Sequence, residues 1–276
     1  MALELNESQM RQLLEALKEV TGIDYEERKV EETFRNKLKK LIDSCGYRDF
    51  NRLLWDVSYG FNKKLLQELI NALTVNETYF FREKAQFEAL VEYAIPEILK
   101  FRNPKQPVKI LSAPCSTGEE VYSIMIYLLE TGDLVERYDF MVLGIDIDTK
   151  AIEKAKEGTY NERSVHRLSE ELIERYFVKK GKKYTVKRFL RSSANFKVVN
   201  VLDEEAMVSL GKFDVIFSRN MLIYFDDRTK RKVIDTFAKL LNPGGFLFLG
   251  HAEKVNGDKR FSSIRYKEAF FYKFSG

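Results

Sequence analysis

A chain of 276 residues with 45% hydrophobic and 32% charged side chains has the balance of a globular protein with ample core, enough for one large domain or two smaller ones. Two cysteines, Cys45 and Cys115, exclude a disulfide framework and fit a reducing cytoplasm, and two histidines, His166 and His251, are too few for a His-rich metal site. The net charge of +4 is mild, no apolar run reaches membrane-spanning length, and the opening MALELNESQM lacks the basic-then-apolar pattern of a secretory signal, so neither membrane insertion nor export is expected.

The first 75 residues read as all-helical. Asn6 is placed to cap a helix carrying Met10, Leu13, Leu14, Leu17 and Val20 at helical spacing, and Gly22 stops it. A second helix is expected from about Glu26, with Val30, Phe34, Leu38, Leu41 and Ile42 on one face and Arg35, Lys39 and Lys40 on the other. Gly46 ends it. Phe50, Leu53 and Leu54, then Leu65, Leu66, Leu69 and Ile70, mark two more helices. Residues 76–107 form a bridge: NETYFFRE leads into a helix from about Lys84 to Phe101, ended by Pro104 and Pro107.

Strand and helix alternate from Val108 onward. Strands are expected at Lys109–Ala113, Phe140–Ile145, Phe196–Val199, Phe213–Phe217 and Phe246–Leu249, with helices near 118–131, 148–157, 203–210 and 227–241. This order predicts a parallel sheet covered on both faces. Residues 160–195 are too long for a simple connection and read as a small inserted subdomain. The tail RFSSIRYKEAFFYKF suits a terminal hairpin.

The chemistry gathers at one sheet edge. VKILSAPCSTGEEVYSI is a strand, a turn of small residues and a helix, and the next strand ends on Asp146. Such a turn brings backbone amides close to a nucleoside, and the acidic strand tip bonds ribose hydroxyls. One glycine, Gly118, and two carboxylates, Glu119 and Glu120, at the helix start disfavour a pyrophosphate and suit the cationic donor S-adenosylmethionine. Asp146 also has a plainer role open to it, capping the helix that follows. Asn200 and Val201 follow the third strand, where adenine would lie, and Asn220 and Met221 follow the fourth. Arg82, in NETYFFRE, can hold a carboxylate bidentately, while Tyr79, Phe80 and Phe81 read as core. Tyr224 has a hydroxyl within reach of a methyl acceptor, or is an ordinary half-buried tyrosine. Cys115 reads as a small buried cysteine and His251 as a hydrogen-bonded strand-end histidine.

Two stretches are basic: eight Lys/Arg against four Asp/Glu over 28–52, and eleven against four over 160–197. They suggest an acidic partner or merely solvated faces. A nucleic-acid methyltransferase is the alternative reading. SRNMLIYFDD lacks the Asn/Asp-Pro-Pro-aromatic run of enzymes that methylate base amino groups, which argues against it. A non-catalytic cofactor sensor is a third.

Over nearly its whole length the sequence resembles the CheR family of chemotaxis receptor glutamate methyltransferases. NETYFFRE, STGEEVYSI, GIDID, NVL, SRNMLIYFD and LNPGGFLFLGHAE stand in the family's order, with Pro114 where many members carry a small residue. The resemblance implies a Rossmann-like α/β methyltransferase sheet (108–276) holding a small inserted β-subdomain (about 160–195), behind an N-terminal helical domain (1–75) and a bridge (76–107). It implies S-adenosylmethionine as donor, S-adenosylhomocysteine as product, and methyl esters on glutamates of chemoreceptor cytoplasmic bundles, in the cytoplasm, with no nucleic acid. By motif, Asn76, Thr78, Arg82, Glu119, Asp146, Asn200, Val201, Asn220 and Met221 are the implied cofactor contacts. Arg82 and Tyr224 fall nearest the reacting centre, and Arg35, Lys39 and Lys40 lie on the helix that would meet the acidic receptor. The insertion resembles a subdomain that docks a receptor tail in some members, but KKGKKYTVKRFL is short and lacks a glycine-rich loop.

Overall fold

The computed structural model describes residues 3–24, 32–101, 103, 105–255 and 257–276, and only the backbone of 32–35. The first helix, α1 (Glu7–Thr21), starts at Asn6, whose side chain and that of Gln9 form a reciprocal capping box. It ends at Gly22, where φ is 75° and a side chain would be strained. Then come α2 (Glu32–Ser44), α3 (Phe50–Ser58) and α4 (Lys63–Leu73). Glu26 to Val30, expected to open the second helix, lie outside the described residues, as does the side chain of Phe34. Among the described residues, Met10, Leu13, Leu17, Leu38, Ile42, Leu53, Leu65 and Leu69 of these helices meet in one core, with Tyr47 from a connecting turn.

The bridging helix is three pieces: α5 (Lys84–Ala89), a π turn (Leu90–Ala94) and α6 (Ile95–Leu99). The Ile95 amide reaches back to the Leu90 carbonyl just before Pro96, which has no amide hydrogen to continue the ladder.

The sheet begins with β1 (Val108–Ser112), followed by α7 (Glu119–Glu130), α8 (Asp133–Arg137), β2 (Phe140–Asp146) and α9 (Thr149–Glu157). The insertion contributes β3 (Thr159–Tyr160), α10 (Glu162–Val165), α11 (Glu170–Tyr176), β4 (Phe177–Lys180), β5 (Lys183–Val186) and α12 (Arg188–Ser193). Next are β6 (Asn195–Val198), α13 (Glu204–Ser209), β7 (Phe213–Ser218), α14 (Asp227–Leu240), β8 (Leu241–Leu249), and the hairpin β9 (Phe261–Tyr266) and β10 (Ala269–Phe274). The seven-stranded order is β6-β2-β1-β7-β8-β10-β9, the first five strands parallel and the hairpin antiparallel. Successive strands run outward from β1 in one direction, then in the other from β7. The crevice beyond the ends of β1 and β7 is therefore the switch point, where open α/β sheets bind ligands.

The insertion is a three-stranded sheet, β3-β5-β4. Its Tyr160, Phe177, Tyr184 and Val186 join the same hydrophobic cluster as Val108 and Phe217 of the main sheet, so it shares that core instead of forming its own. Phe80 is fully buried against Tyr160 and Phe177, ring centroids 5.0 and 5.1 Å away, which seals the NETYFFRE segment onto the insertion. Among the described residues no helix is long and apolar enough to cross a membrane.

Gly144 in β2 shows how tightly the first turn is held. A Cβ there would lie 2.7 Å from Val121 Cγ2 and 2.9 Å from Cys115 Cβ and Sγ. Gly144→Ala is expected to cost about 1–3 kcal/mol by overpacking and to weaken cofactor binding by pushing out the Ser116 turn. Urea denaturation and calorimetric titration read the two effects.

Candidate active site

Asp146 is the last residue of β2 and is buried. Its Oδ2 accepts the Ser116 amide at 2.8 Å and its Oδ1 accepts the Asp148 amide at 2.9 Å. Burial pushes its carboxyl up to about 6, with the backbone amides pulling the other way. The helix-capping role belongs to Asp148, whose Oδ1 accepts the Lys150 and Ala151 amides. Asp148 Oδ2 in turn accepts Thr74 Oγ1 and Asn76 Nδ2, both at 2.6 Å, and so ties the end of the N-terminal helices to the sheet edge.

A cavity of about 90 Å³, open to solvent on one side, lies beside Asp146. Asp146, Asn76, Asn200, Val201, Asn220, Met221 and Tyr224 all line it, together with Ser116, Ile147 and Val199. Thr21 and Ile23 close it from the end of α1. Asn200 Nδ2 donates to the Val20 carbonyl at 2.8 Å, and the Asp24 amide donates to the Tyr224 carbonyl at 2.8 Å. The helical region therefore forms one wall of the site.

A second cavity adjoins the first across Val75, Pro114, Ser116 and Asn220. Thr78 and Arg82 line it, joined by Glu120 and Arg219. Arg82 donates to the Glu77 carbonyl at 2.9 Å. Arg219, buried at the end of β7, donates to the Arg82 carbonyl and lies 3.2 Å from Glu120 Oε2, while Glu120 Oε1 accepts Ser112 Oγ at 2.7 Å. Phe81, Glu83, Ser116 and Asn220 adopt positive φ without being glycine; Ser116 and Asn220 line both cavities, and Phe81 and Glu83 flank Arg82, which lines the smaller. Such conformations persist only where surroundings over-determine them.

Six of the nine residues expected to hold the cofactor line the larger cavity, Asn220 among them bordering both, and Thr78 and Arg82 line the smaller; Glu119 lines neither. It is buried, its carboxylate accepts Thr117 Oγ1 at 2.6 Å, and burial raises its pKa. The carboxylate facing the smaller cavity is Glu120, one position on. Arg219 was missed as well, although SRNM placed it at a strand end beside Asn220. Arg35, Lys39 and Lys40 belong to α2 and line neither cavity; the Arg35 side chain lies outside the described residues, Lys39 pairs with Glu4 at 2.8 Å, and Lys40 is exposed. Burial lifts the Cys115 thiol well above its usual range, which rules against a thiolate nucleophile. His251 is exposed in the turn after β8, not packed at a strand end.

These features fit an S-adenosyl donor. A buried carboxylate at the strand tip keeps lone pairs for ribose hydroxyls beyond its two amide bonds, and an aliphatic and amide wall stands where a base would stack. Comparison with known proteins agrees. The profile described as "CheR methyltransferase, SAM binding domain" matches residues 76–270. The chain belongs to the CheR methyltransferase family. It is 39% identical over 251 residues to chemotaxis protein methyltransferase 2 of Vibrio cholerae, covering 91% of this chain and 85% of that one. It is 36% identical over 268 residues to the chemotaxis protein methyltransferase of Campylobacter jejuni, covering 97% and 96%. As a CheR methyltransferase it uses S-adenosylmethionine, and the nucleic-acid reading finds no support among these relatives.

Asp148 is one joint between helices and sheet. Asp148→Ala removes a helix cap and strands the Thr74 and Asn76 donors, so a loss of about 2–4 kcal/mol is expected in chemical denaturation.

Proposed function

We propose that this CheR methyltransferase esterifies glutamate side chains on the cytoplasmic helical bundles of chemoreceptors. The observation that carries the reading is the pair of adjoining cavities at the switch point, one built around buried Asp146 and the other around two arginines, with Asn220 bordering both. When bound, S-adenosylmethionine supplies a methyl group already activated by its sulfonium.

The acceptor carboxylate is ionised at neutral pH, so the protein needs no general base. Its work is to align an oxygen with the methyl and to strip water from it. Asp146 would take the ribose hydroxyls, and Ile147, Val199, Asn200 and Val201 the adenine. Thr78, Arg82 and Asn220 are assigned to the donor's amino-acid end. Tyr224, half-buried at the rim of the larger cavity, is assigned to orienting the acceptor, with Arg82 beside the reacting centre. A tight ion pair to the acceptor would tame the nucleophile, so a phenol suits that contact better than a guanidinium. The exposed Lys40, with Arg35 and Lys39 on the same helix, is assigned to the acidic receptor surface.

The reading is tested by incubating the protein with radiolabelled donor and receptor fragments or nucleic acid. Base-labile label on receptor, released as methanol, is expected; stable label on nucleic acid would overturn it. Reversing Lys39 and Lys40 to Glu is expected to raise the KM for receptor while cofactor affinity stays unchanged, and an unaltered KM would remove α2 from recognition. The Asp146 assignment carries a pH signature. In the unliganded protein its ionised form is penalised by burial, whereas ribose donors favour that form. Donor affinity should therefore fall as pH is lowered through about 6. In Asp146→Asn it should be weaker and lose that step, as read by titration calorimetry.

A further inference from the structure

Past the end of β8 the chain folds back through residues 250–255, which line neither cavity. Glu253 in this segment is buried. Its Oε2 accepts the Gly250 amide at 2.7 Å and the Asn220 amide at 2.8 Å, and its Oε1 accepts the Ile223 amide at 3.2 Å. A single carboxylate thus gathers donors from its own turn and from the loop that carries Asn220 and Tyr224.

That loop needs an outside acceptor. Asn220 holds φ at 57°, in the left-handed region that asparagine tolerates better than most side-chain-bearing residues. The 3-10 turn Leu222–Tyr224 starts with no side-chain cap, so its first amides have no acceptor within the turn. Glu253 serves as that cap, accepting the Ile223 amide from 30 residues away in sequence. The fit is close: a Cβ on Gly250 would lie 2.7 Å from Glu253 Oε2 and 2.9 Å from the Asn220 amide. The segment is pinned from behind as well, the Val255 amide donating to the Tyr272 hydroxyl on β10 at 3.2 Å.

We propose that Glu253 is a positioning residue for methyl transfer, fixing the Asn220–Tyr224 loop so that Asn220 borders both cavities and Tyr224 meets the acceptor. The inference rests on the role assigned above to Tyr224. Glutamine at this position keeps the volume but turns an NH2 toward amide donors, which leaves at least one of them without an acceptor.

The test is a double-mutant cycle of Glu253→Gln and Tyr224→Phe, with kcat and KM measured for donor and receptor fragment. Glu253→Gln is expected to lower kcat about tenfold with a smaller change in either KM, and most of that loss should vanish in the Tyr224→Phe background. Wild-type kcat in Glu253→Gln, or losses that simply multiply, would overturn the proposal. A merely structural role would lower the melting temperature and leave the two losses independent. If Glu253→Gln does not fold, Glu253→Asp, which keeps the charge but withdraws it by one methylene, must show the same coupling, and independence there overturns the idea equally. Should the wild-type protein methylate no receptor, the functional reading fails on its own. Hydrogen exchange then decides Glu253: faster exchange of the Asn220 and Ile223 amides in the variant, with the Ser116 amide unchanged, upholds the positioning role, and unchanged exchange at all three overturns it.

Discussion

One carboxylate ties the two halves of the cofactor crevice together. Asp146 ends β2, yet it accepts the amide of Ser116 from the turn after β1 and that of Asp148 from the turn after itself. Both turns are thereby held at one height above the sheet. The bonds also explain how a buried carboxylate is tolerated there: the amides offset part of a desolvation cost that still lifts its pKa to about 6. A ligand that adds hydroxyl donors there, as the ribose contact proposed above would, relieves the remainder.

Around this point the protein uses buried and half-buried acidic groups as joints. Asp148 caps α9 and holds Thr74 and Asn76. Glu120 joins Ser112 to Arg219, and Arg219 reaches the carbonyl of Arg82. Glu253 gathers the loop after β7. Each accepts from donors on separate segments, so strand ends and loops that would otherwise move independently are fixed relative to one another. The arrangement suits a reaction whose barrier is lowered by alignment and not by proton transfer. The helical region takes part too: the Val20 carbonyl holds Asn200, and Thr21 and Ile23 close the cavity, so these helices are a wall of the site.

Much of this was legible beforehand. Alternating strand and helix patterns placed Asp146, Asn200 and Asn220 at strand ends, and a parallel sheet must bring such ends to one edge. Where the reading slipped, it slipped by small steps in a helix or turn. Glu119 and Glu120 are adjacent, but one residue in a helix rotates a side chain by about 100°, which sends one into the Thr117 turn and the other toward the arginine cavity. Asp146 and Asp148 are two apart, and only the geometry at the start of α9 shows which one caps it. The bridging helix was expected unbroken, and Pro96 inserts a π turn.

The sequence by itself determined the class of fold, the donor and the edge of the sheet where chemistry happens, because those follow from periodicity, from charge at a helix start and from motifs in order. Tertiary structure alone decided which carboxylates face the cavity and which serve as joints, that Arg219 stands beside Arg82, and that Glu253 and the Val20 carbonyl reach the site at all. The reason is physical. Local pattern dictates where a side chain leaves the backbone, but a buried charge finds its partners wherever packing brings donors together, and at 33 or 180 residues' separation no local pattern records the meeting.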